Sequence, residues 1–245
     1  MRGHFDSHPV VFLLSGSKDR LAITGRVLPV TNENVQLKAV FENGASVVGE
    51  SHIARMKAQE RCRIAHVELM PEHPQALSAA LNAIEQADVI LLAPGSLYTS
   101  IIPNLLVDGI VDAIVRSTAL KIYICNVMTQ PGETEGYTVA DHIRALFAHS
   151  CPGLFRICLV NSQPIPTSLS QRYAMEGAEV ILCDQSACEA LGVEVISRPV
   201  STVENGCVRH SPGHLARELM AIHTQRSMRV VGESTRHSTT SRVEE

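Results

Sequence analysis

From Pro71 onward, short apolar runs alternate with segments of helical periodicity. Three runs, at Val89–Leu92, residues 121–125 and residues 155–160, are almost continuously apolar, which is typical of parallel strands covered on both faces. The spacing of apolar residues predicts helices at residues 74–84, 103–116, 139–149, 168–176 and 212–222, a short helix at 186–191, and further strands at 178–182 and 193–196. This alternation predicts an α/β domain built on a parallel sheet.

An antiparallel piece precedes this region. Residues 35–41 and 45–49 have strand-like patterns and flank Glu42-Asn43-Gly44, and Asn-Gly is a strong hairpin signal. Residues 21–30 are interpreted as a strand or extended entry segment, and residues 63–69 as a further strand. We expect this piece to be an insertion on the main sheet. The predicted domain covers residues 21–222, after an atypical N-terminal segment at 1–20 and before a polar tail at 223–245 that we expect to be disordered.

Polar loops follow the three apolar strands, and in parallel sheets such strand ends line one crevice. The first loop contributes Gly95, Ser96, Leu97, Tyr98, Thr99 and Ser100, with Asn104 just beyond it; the second contributes Asn126, Thr129, Gln130, Gly132, Glu133 and Thr134; the third begins at Asn161. Free N–H groups at the start of a following helix favour anions, phosphate above all. These residues are therefore our candidate ligand site.

The same residues also allow simpler interpretations, in which they bind no ligand. The first loop can be a tight turn with helix caps, and the second can be a hydrogen-bonded network that satisfies itself. Glu133 is either a general base or a partner of a ribose hydroxyl. Arg209, before a predicted helix, is either a surface residue or a phosphate ligand. His142 and His149 lie seven residues apart, but no third metal ligand has a diagnostic spacing, which favours a structural role.

Composition narrows the function classes. The chain has 245 residues, of which 45% are hydrophobic and 19% charged, as expected for a folded domain. A net charge of -4 argues against nucleic acid as the main partner. No apolar run is long enough to span a membrane, so we expect a cytoplasmic protein. The 7 cysteines include no CxxC pair, and the phosphate-loop, dinucleotide and G-x-S-x-G motifs are absent.

Several segments resemble a known family, the gluconeogenesis factor (YvcK) proteins, which are related to 2-phospho-L-lactate transferase (CofD). The most specific are PGSLYTSIIPNLL, starting at Pro94, and NVMTQPGET, starting at Asn126; shorter matches include Gly25-Arg26-Val27 and Arg209-His210. The resemblance implies a Rossmann-like, three-layer α/β fold that binds a nucleotide sugar such as a UDP-sugar, with NAD as a further ligand. It also implies that Tyr173 and Arg209 contact that ligand.

The family begins with a Gly-rich strand–loop–helix that residues 1–20 do not resemble. The chain is therefore similar to an N-terminally truncated member in which the first βα element is missing. The resemblance implies a binding protein, with no certain cofactor, that regulates cell shape and cell-wall synthesis under gluconeogenic growth. The alternative is an enzyme that moves a phospholactyl group to a deazaflavin with Mg²⁺. The residues show no matched acid–base pair, which favours binding, and unpaired strand edges favour a homo-oligomer.

Overall fold

The computed structural model describes residues 13–14, 28–60 and 62–240. Most of the segment at 1–20 and residues 21–27 of the predicted entry strand therefore lie outside the described residues. Within this part of the chain, the main sheet has the order β1-β5-β6-β7-β8. Its strands are β1 (Leu13–Leu14), β5 (Val89–Leu92), β6 (Leu120–Ile124), β7 (Ile157–Asn161) and β8 (Glu194–Arg198). The strands from β5 to β8 run parallel, and β1 pairs antiparallel with β5.

The sheet is apolar on both faces, as its continuous apolar strands predict. Along a strand, successive side chains point to opposite faces. Ile90, Tyr123 and Cys158 thus belong to one buried cluster, and their strand neighbours Ile122 and Leu159 belong to the other. The predicted α/β class with a parallel sheet is confirmed.

Helices cover both faces. Helices α2 (Ser78–Glu85), α4 (Ile110–Arg116), α5 (Val139–Ala148) and α7 (Gln185–Ala190) supply buried residues to the cluster on the first face. Helix α8 (Pro212–Thr240) covers the second face. Its residues Leu215, Leu219 and Ile222 have helical spacing and pack against that cluster. Among the described residues, none of the helices combines the length and apolarity that crossing a membrane requires.

The predicted antiparallel piece is a three-stranded sheet with the order β3-β2-β4. It consists of β2 (Gln36–Phe41), β3 (Ser46–Val48) and β4 (Ile64–Met70), and the turn between β2 and β3 carries Gly44 at φ 85°. Helix α1 (Glu50–Glu60), which was not predicted from the sequence, packs on this sheet through buried Ile53. Most of α1 is polar, so its narrow apolar face gives little periodic signal.

The last part of the domain contains α6 (Thr167–Met175) and a second hairpin that the sequence analysis also missed. Its strands are β9 (Ser201–Glu204) and β10 (Cys207–His210), and they pair antiparallel. Three of the four residues of β9 are polar, and its one apolar residue, Val203, is exposed, so the alternating apolar pattern of a half-buried strand is absent. This hairpin brings Arg209 to the candidate site.

The strand predicted at residues 178–182 is wrong. Only an isolated bridge joins Val180 to Met128 there. Val180 and Leu182 are exposed, so their apolar character does not reflect burial in the sheet. The backbone of this segment instead pairs with the loop after β6, where the Thr129 N–H donates to the Glu179 carbonyl at 2.7 Å.

The single helix predicted at residues 103–116 is also wrong. A π-helical turn (Leu97–Ile101) leads directly into α3 (Ile102–Leu105), and α4 starts afresh at Ile110. Gly109 adopts φ 89°, a left-handed conformation that a continuous right-handed helix excludes. Further on, α8 extends to Thr240, through most of the segment whose composition predicts a disordered tail.

Candidate functional site

A cavity of about 660 Å³ opens at the carboxyl ends of β5 and β6. The loops after these strands form one wall, and α6 and β10 contribute the other. The predicted site residues in its lining are Gly95, Ser96, Ser100, Asn126, Thr129, Gln130, Tyr173 and Arg209. The fold therefore brings residues from four separate parts of the sequence to one concave surface, at the place where α/β proteins commonly bind ligands.

The remaining predicted residues do not line the cavity: Leu97, Tyr98, Thr99, Asn104, Gly132, Glu133 and Thr134. Leu97 and Tyr98 are buried in the core, and the Asn104 amide donates to the Ser100 carbonyl at 2.8 Å. The Thr134 hydroxyl accepts from the Gln130 N–H at 2.9 Å. These residues form the structural support behind the cavity wall.

Glu133 lies at the centre of that support. Its side chain is 3% exposed and accepts three hydrogen bonds: from the Tyr98 N–H at 3.0 Å, the Thr99 hydroxyl at 2.8 Å and the Gln130 side-chain amide at 3.1 Å. Burial raises the pKa of the Glu133 carboxyl, and the hydrogen bonds from Thr99 and Tyr98 oppose that rise. The Tyr98 N–H, near the start of the helical segment, is thus already paired inside the protein.

Two further hydrogen bonds hold the loop after β6 against neighbouring segments. The Asn126 side-chain amide donates to the Gly95 carbonyl at 2.8 Å, which ties the loop after β6 to the loop after β5. The Thr129 hydroxyl accepts from the Glu179 N–H at 2.8 Å. The loop after β6 therefore combines both interpretations made from the sequence, since much of its polar network is satisfied internally and part of it lines the cavity.

Tyr173 connects α6 to the second hairpin. Its hydroxyl accepts from the Val208 N–H at 3.0 Å, and its ring joins the small apolar cluster around Leu169 and Val208. Since Val208 precedes Arg209, this hydrogen bond fixes the strand that carries the guanidinium. Arg209 is exposed in the cavity lining, and in the part of the chain that the structure describes no carboxylate lies within salt-bridge distance of it.

Other residues of the cavity lining were not predicted from the sequence, among them Met128, Glu176 and His210. Burial lowers the pKa of the His210 imidazole, and a hydrogen bond to the Cys125 backbone opposes that shift. The only sequence signal was its position next to Arg209. Met128 carries no recognisable signal, because an apolar residue in a loop is compatible with packing of any kind.

The third strand end does not reach the cavity, so the expectation of three strand ends in one crevice is wrong. The Asn161 side-chain oxygen instead accepts from the N–H groups of Gln163, Val200 and Ser201 at 3.1, 3.2 and 3.0 Å. Asn161 thus holds the short link between β8 and β9 in place.

Two histidines considered as metal ligands lie in α5 or at its end. His142 Nδ1 bonds the Thr138 carbonyl at 2.8 Å, and His149 Nε2 accepts from the Val67 N–H at 3.0 Å. Across the described ranges, no group of three or more His, Cys, Asp or Glu side chains is arranged to hold a metal ion.

The family model for 2-phospho-L-lactate transferase CofD matches residues 10–201. The gluconeogenesis factor of Halalkalibacterium halodurans is 42% identical over 200 residues, which are 82% of this chain and 61% of that protein. The gluconeogenesis factor of Bacillus subtilis is 43% identical over 196 residues, or 80% of this chain and 61% of that protein. The chain thus spans about six tenths of the length of these relatives.

Solved structures agree with this result. A crystal structure of a protein from Bacillus halodurans superposes with a TM-score of 0.77 at 42% identity, and the match covers 82% of this chain and 63% of that one. Sequence and fold together place the chain in a single family. It belongs to the CofD family, and its sequence is similar to members that are named gluconeogenesis factors.

Proposed function

We propose that this chain binds a nucleotide sugar, of the UDP-sugar class, in the cavity at the ends of β5 and β6. The observation that carries the proposal is the exposed guanidinium of Arg209, which has no carboxylate within salt-bridge distance among the described residues. It lies in a concave site whose other acidic or basic side chains are Glu176 and His210. A planar guanidinium with free N–H groups suits a diphosphate. The cavity, at about 660 Å³, is within the range typical of small-molecule sites.

The rest of the lining suits the other parts of such a ligand. The Ser96 and Ser100 hydroxyls and the Gln130 side-chain amide can pair with sugar hydroxyls. The Tyr173 ring supplies a flat apolar surface for a base or a sugar. Binding needs no acid–base pair, and by its resemblance to gluconeogenesis factors the chain would act as a regulator of cell shape and cell-wall synthesis under gluconeogenic growth.

Isothermal titration calorimetry with UDP-GlcNAc, UDP-glucose and NAD tests this proposal, with Arg209→Glu as the variant. Charge reversal removes the favourable pairing with phosphate and adds repulsion, so we expect the affinity for a UDP-sugar to fall at least about a hundredfold. Arg217→Glu is the matched control, because Arg217 is exposed on α8 and does not line the cavity. An affinity that is equal in both variants would show that the ligand does not use Arg209, and the absence of binding to the wild-type chain would refute the proposal.

The description of the matching family, 2-phospho-L-lactate transferase, favours a second candidate. By the resemblance, that enzyme would move a phospholactyl group to a deazaflavin with Mg²⁺. Mass spectrometry of the chain incubated with an activated phospholactyl donor, a deazaflavin acceptor and Mg²⁺ distinguishes the two. Product that accumulates over many turnovers supports the transferase. A cytoplasmic location and self-association stay predictions.

A further inference from the structure

Glu133 is a charged residue beside the cavity with no part in the proposed binding contacts. It does not line the cavity, yet its carboxylate bonds two of the segments that do. One is the loop after β5, through the backbone of Tyr98 and the hydroxyl of Thr99. The other is the loop after β6, through the amide of Gln130. The carboxylate thus links two segments of the cavity lining.

The Glu133 carboxylate lies at the start of the helical segment that begins at Leu97, where a negative charge is favourable. The first N–H groups of a helix have no partner within it and carry a partial positive charge. Here the Tyr98 N–H donates to the Glu133 carboxylate at 3.0 Å, while the Ser96 carbonyl accepts from the N–H groups of Ser100 and Ile101 at 2.9 and 3.0 Å. Ser96 and Ser100, which line the cavity, therefore belong to a turn that Glu133 holds at its beginning.

The bond to Gln130 acts on the loop after β6. The Gln130 side-chain amide donates to Glu133 Oε1 at 3.1 Å, and the Thr99 hydroxyl donates to the same oxygen at 2.8 Å. Glu133 Oε1 thus orients the Gln130 side chain, which lines the cavity. The same oxygen anchors the turn that carries the two lining serines, Ser96 and Ser100. At 3% exposure these bonds are shielded from water, which strengthens them.

We propose that Glu133 is a positioning residue for the ligand site, and that its carboxylate sets the relative placement of the Ser96–Ser100 turn and the Gln130 side chain. The inference rests on the proposed function, because the site that it positions is the nucleotide-sugar site. It assigns Glu133 neither of the roles considered from the sequence, general base or ribose partner.

The test compares Glu133→Gln with Asp141→Asn. Both changes replace a helix-capping carboxylate by an amide of the same size, and Asp141 accepts from the Thr138 N–H at 3.1 Å at the start of α5, away from the cavity lining. The two measurements are the affinity for UDP-GlcNAc and the hydrogen exchange of single backbone amides, followed by NMR. The Cys125 amide, which bonds the Leu159 carbonyl in the main sheet, reports global opening.

In Glu133→Gln we expect the Tyr98 amide to exchange at least about tenfold faster relative to the Cys125 amide. Glutamine has one acceptor oxygen where the carboxylate has two, and the orientation that keeps the bonds from Thr99 and Gln130 turns its NH₂ group toward the Tyr98 N–H. We expect the affinity for UDP-GlcNAc to fall at least about tenfold, equivalent to about 1.4 kcal/mol. In Asp141→Asn the Thr138 amide should lose part of its protection, because a neutral amide oxygen accepts more weakly than a carboxylate, while the Tyr98 amide and the ligand affinity stay at the wild-type level. A role confined to stability would lower the affinity of both variants to the same extent.

Unchanged exchange of the Tyr98 amide in Glu133→Gln overturns the inference, as does an affinity equal to that of Asp141→Asn. If the wild-type chain binds no UDP-GlcNAc, the proposed function fails, and exchange at Tyr98 still decides whether Glu133 holds this turn. Should Glu133→Gln not fold, Thr99→Val removes a single hydrogen bond to the same carboxylate and is expected to give a smaller loss of affinity in the same direction.

Discussion

Replacing Tyr173 by phenylalanine removes one oxygen atom and leaves the aromatic ring in the cavity wall. The lost oxygen accepts the Val208 N–H at 3.0 Å, and Val208 is 8% exposed, so its amide is left without an acceptor in a largely dry environment. An unsatisfied buried amide costs about 1–3 kcal/mol. In a chain of this size, each kcal/mol lowers the unfolding midpoint by roughly 2–4 °C.

The same hydrogen bond fixes the strand that presents Arg209, so Tyr173→Phe should also weaken ligand binding. We expect about a three- to tenfold loss of affinity for UDP-GlcNAc, because a loosened strand must be ordered again on binding. If Tyr173 acted only through its ring, Tyr173→Phe would bind like the wild type and only Tyr173→Ala would bind less tightly.

Differential scanning fluorimetry and calorimetric titration measure the two effects. Tyr137→Phe is the matched control, since its hydroxyl bonds the Tyr98 hydroxyl at 2.8 Å and Tyr137 does not line the cavity. We expect that control to lose stability and to keep its affinity. The reasoning is refuted if Tyr173→Phe melts and binds like the wild type.

Two further predictions concern pH and the second face of the sheet. Burial lowers the pKa values of His142, His149 and His210 below the usual 6.5, so the unfolded chain takes up protons before the folded chain does. Stability is therefore full above that pH and falls below it, and the melting midpoint should drop between about pH 7.5 and 5.5; a midpoint that stays flat or rises would contradict this. Leu219→Ala should lower the free energy of unfolding by about 2–5 kcal/mol in urea titrations, because Leu219 is 5% exposed against the sheet. Met220→Ala, at 58% exposure, should change the free energy of unfolding by no more than about 0.5 kcal/mol. Equal losses of stability in the two variants would contradict the packing of α8 on the second face of the sheet.

Elements with a strong local pattern were predictable. The strands β5, β6 and β7 are almost continuously apolar because both faces of the sheet are buried, and the β2–β3 turn carries an Asn-Gly pair whose glycine adopts positive φ. Elements that are only slightly buried were not predictable from the sequence. Helix α1 and strand β9 are mostly polar, and the apolar residues at 178–182 suggested a strand although Leu182 is 69% exposed.

The sequence by itself determined the α/β class, the two polar loops that become one cavity wall, and the family to which the chain belongs. Each of these depends on residues that are close together in the sequence. Only the tertiary structure decided which loop residues face a ligand and which support the wall. The difference between Gln130, in the lining, and Glu133, behind it, is one of side-chain direction, and that direction depends on partners more than thirty residues away, such as Tyr98. Long-range packing therefore decides which residues of one continuous polar motif face the ligand cavity and which support its wall.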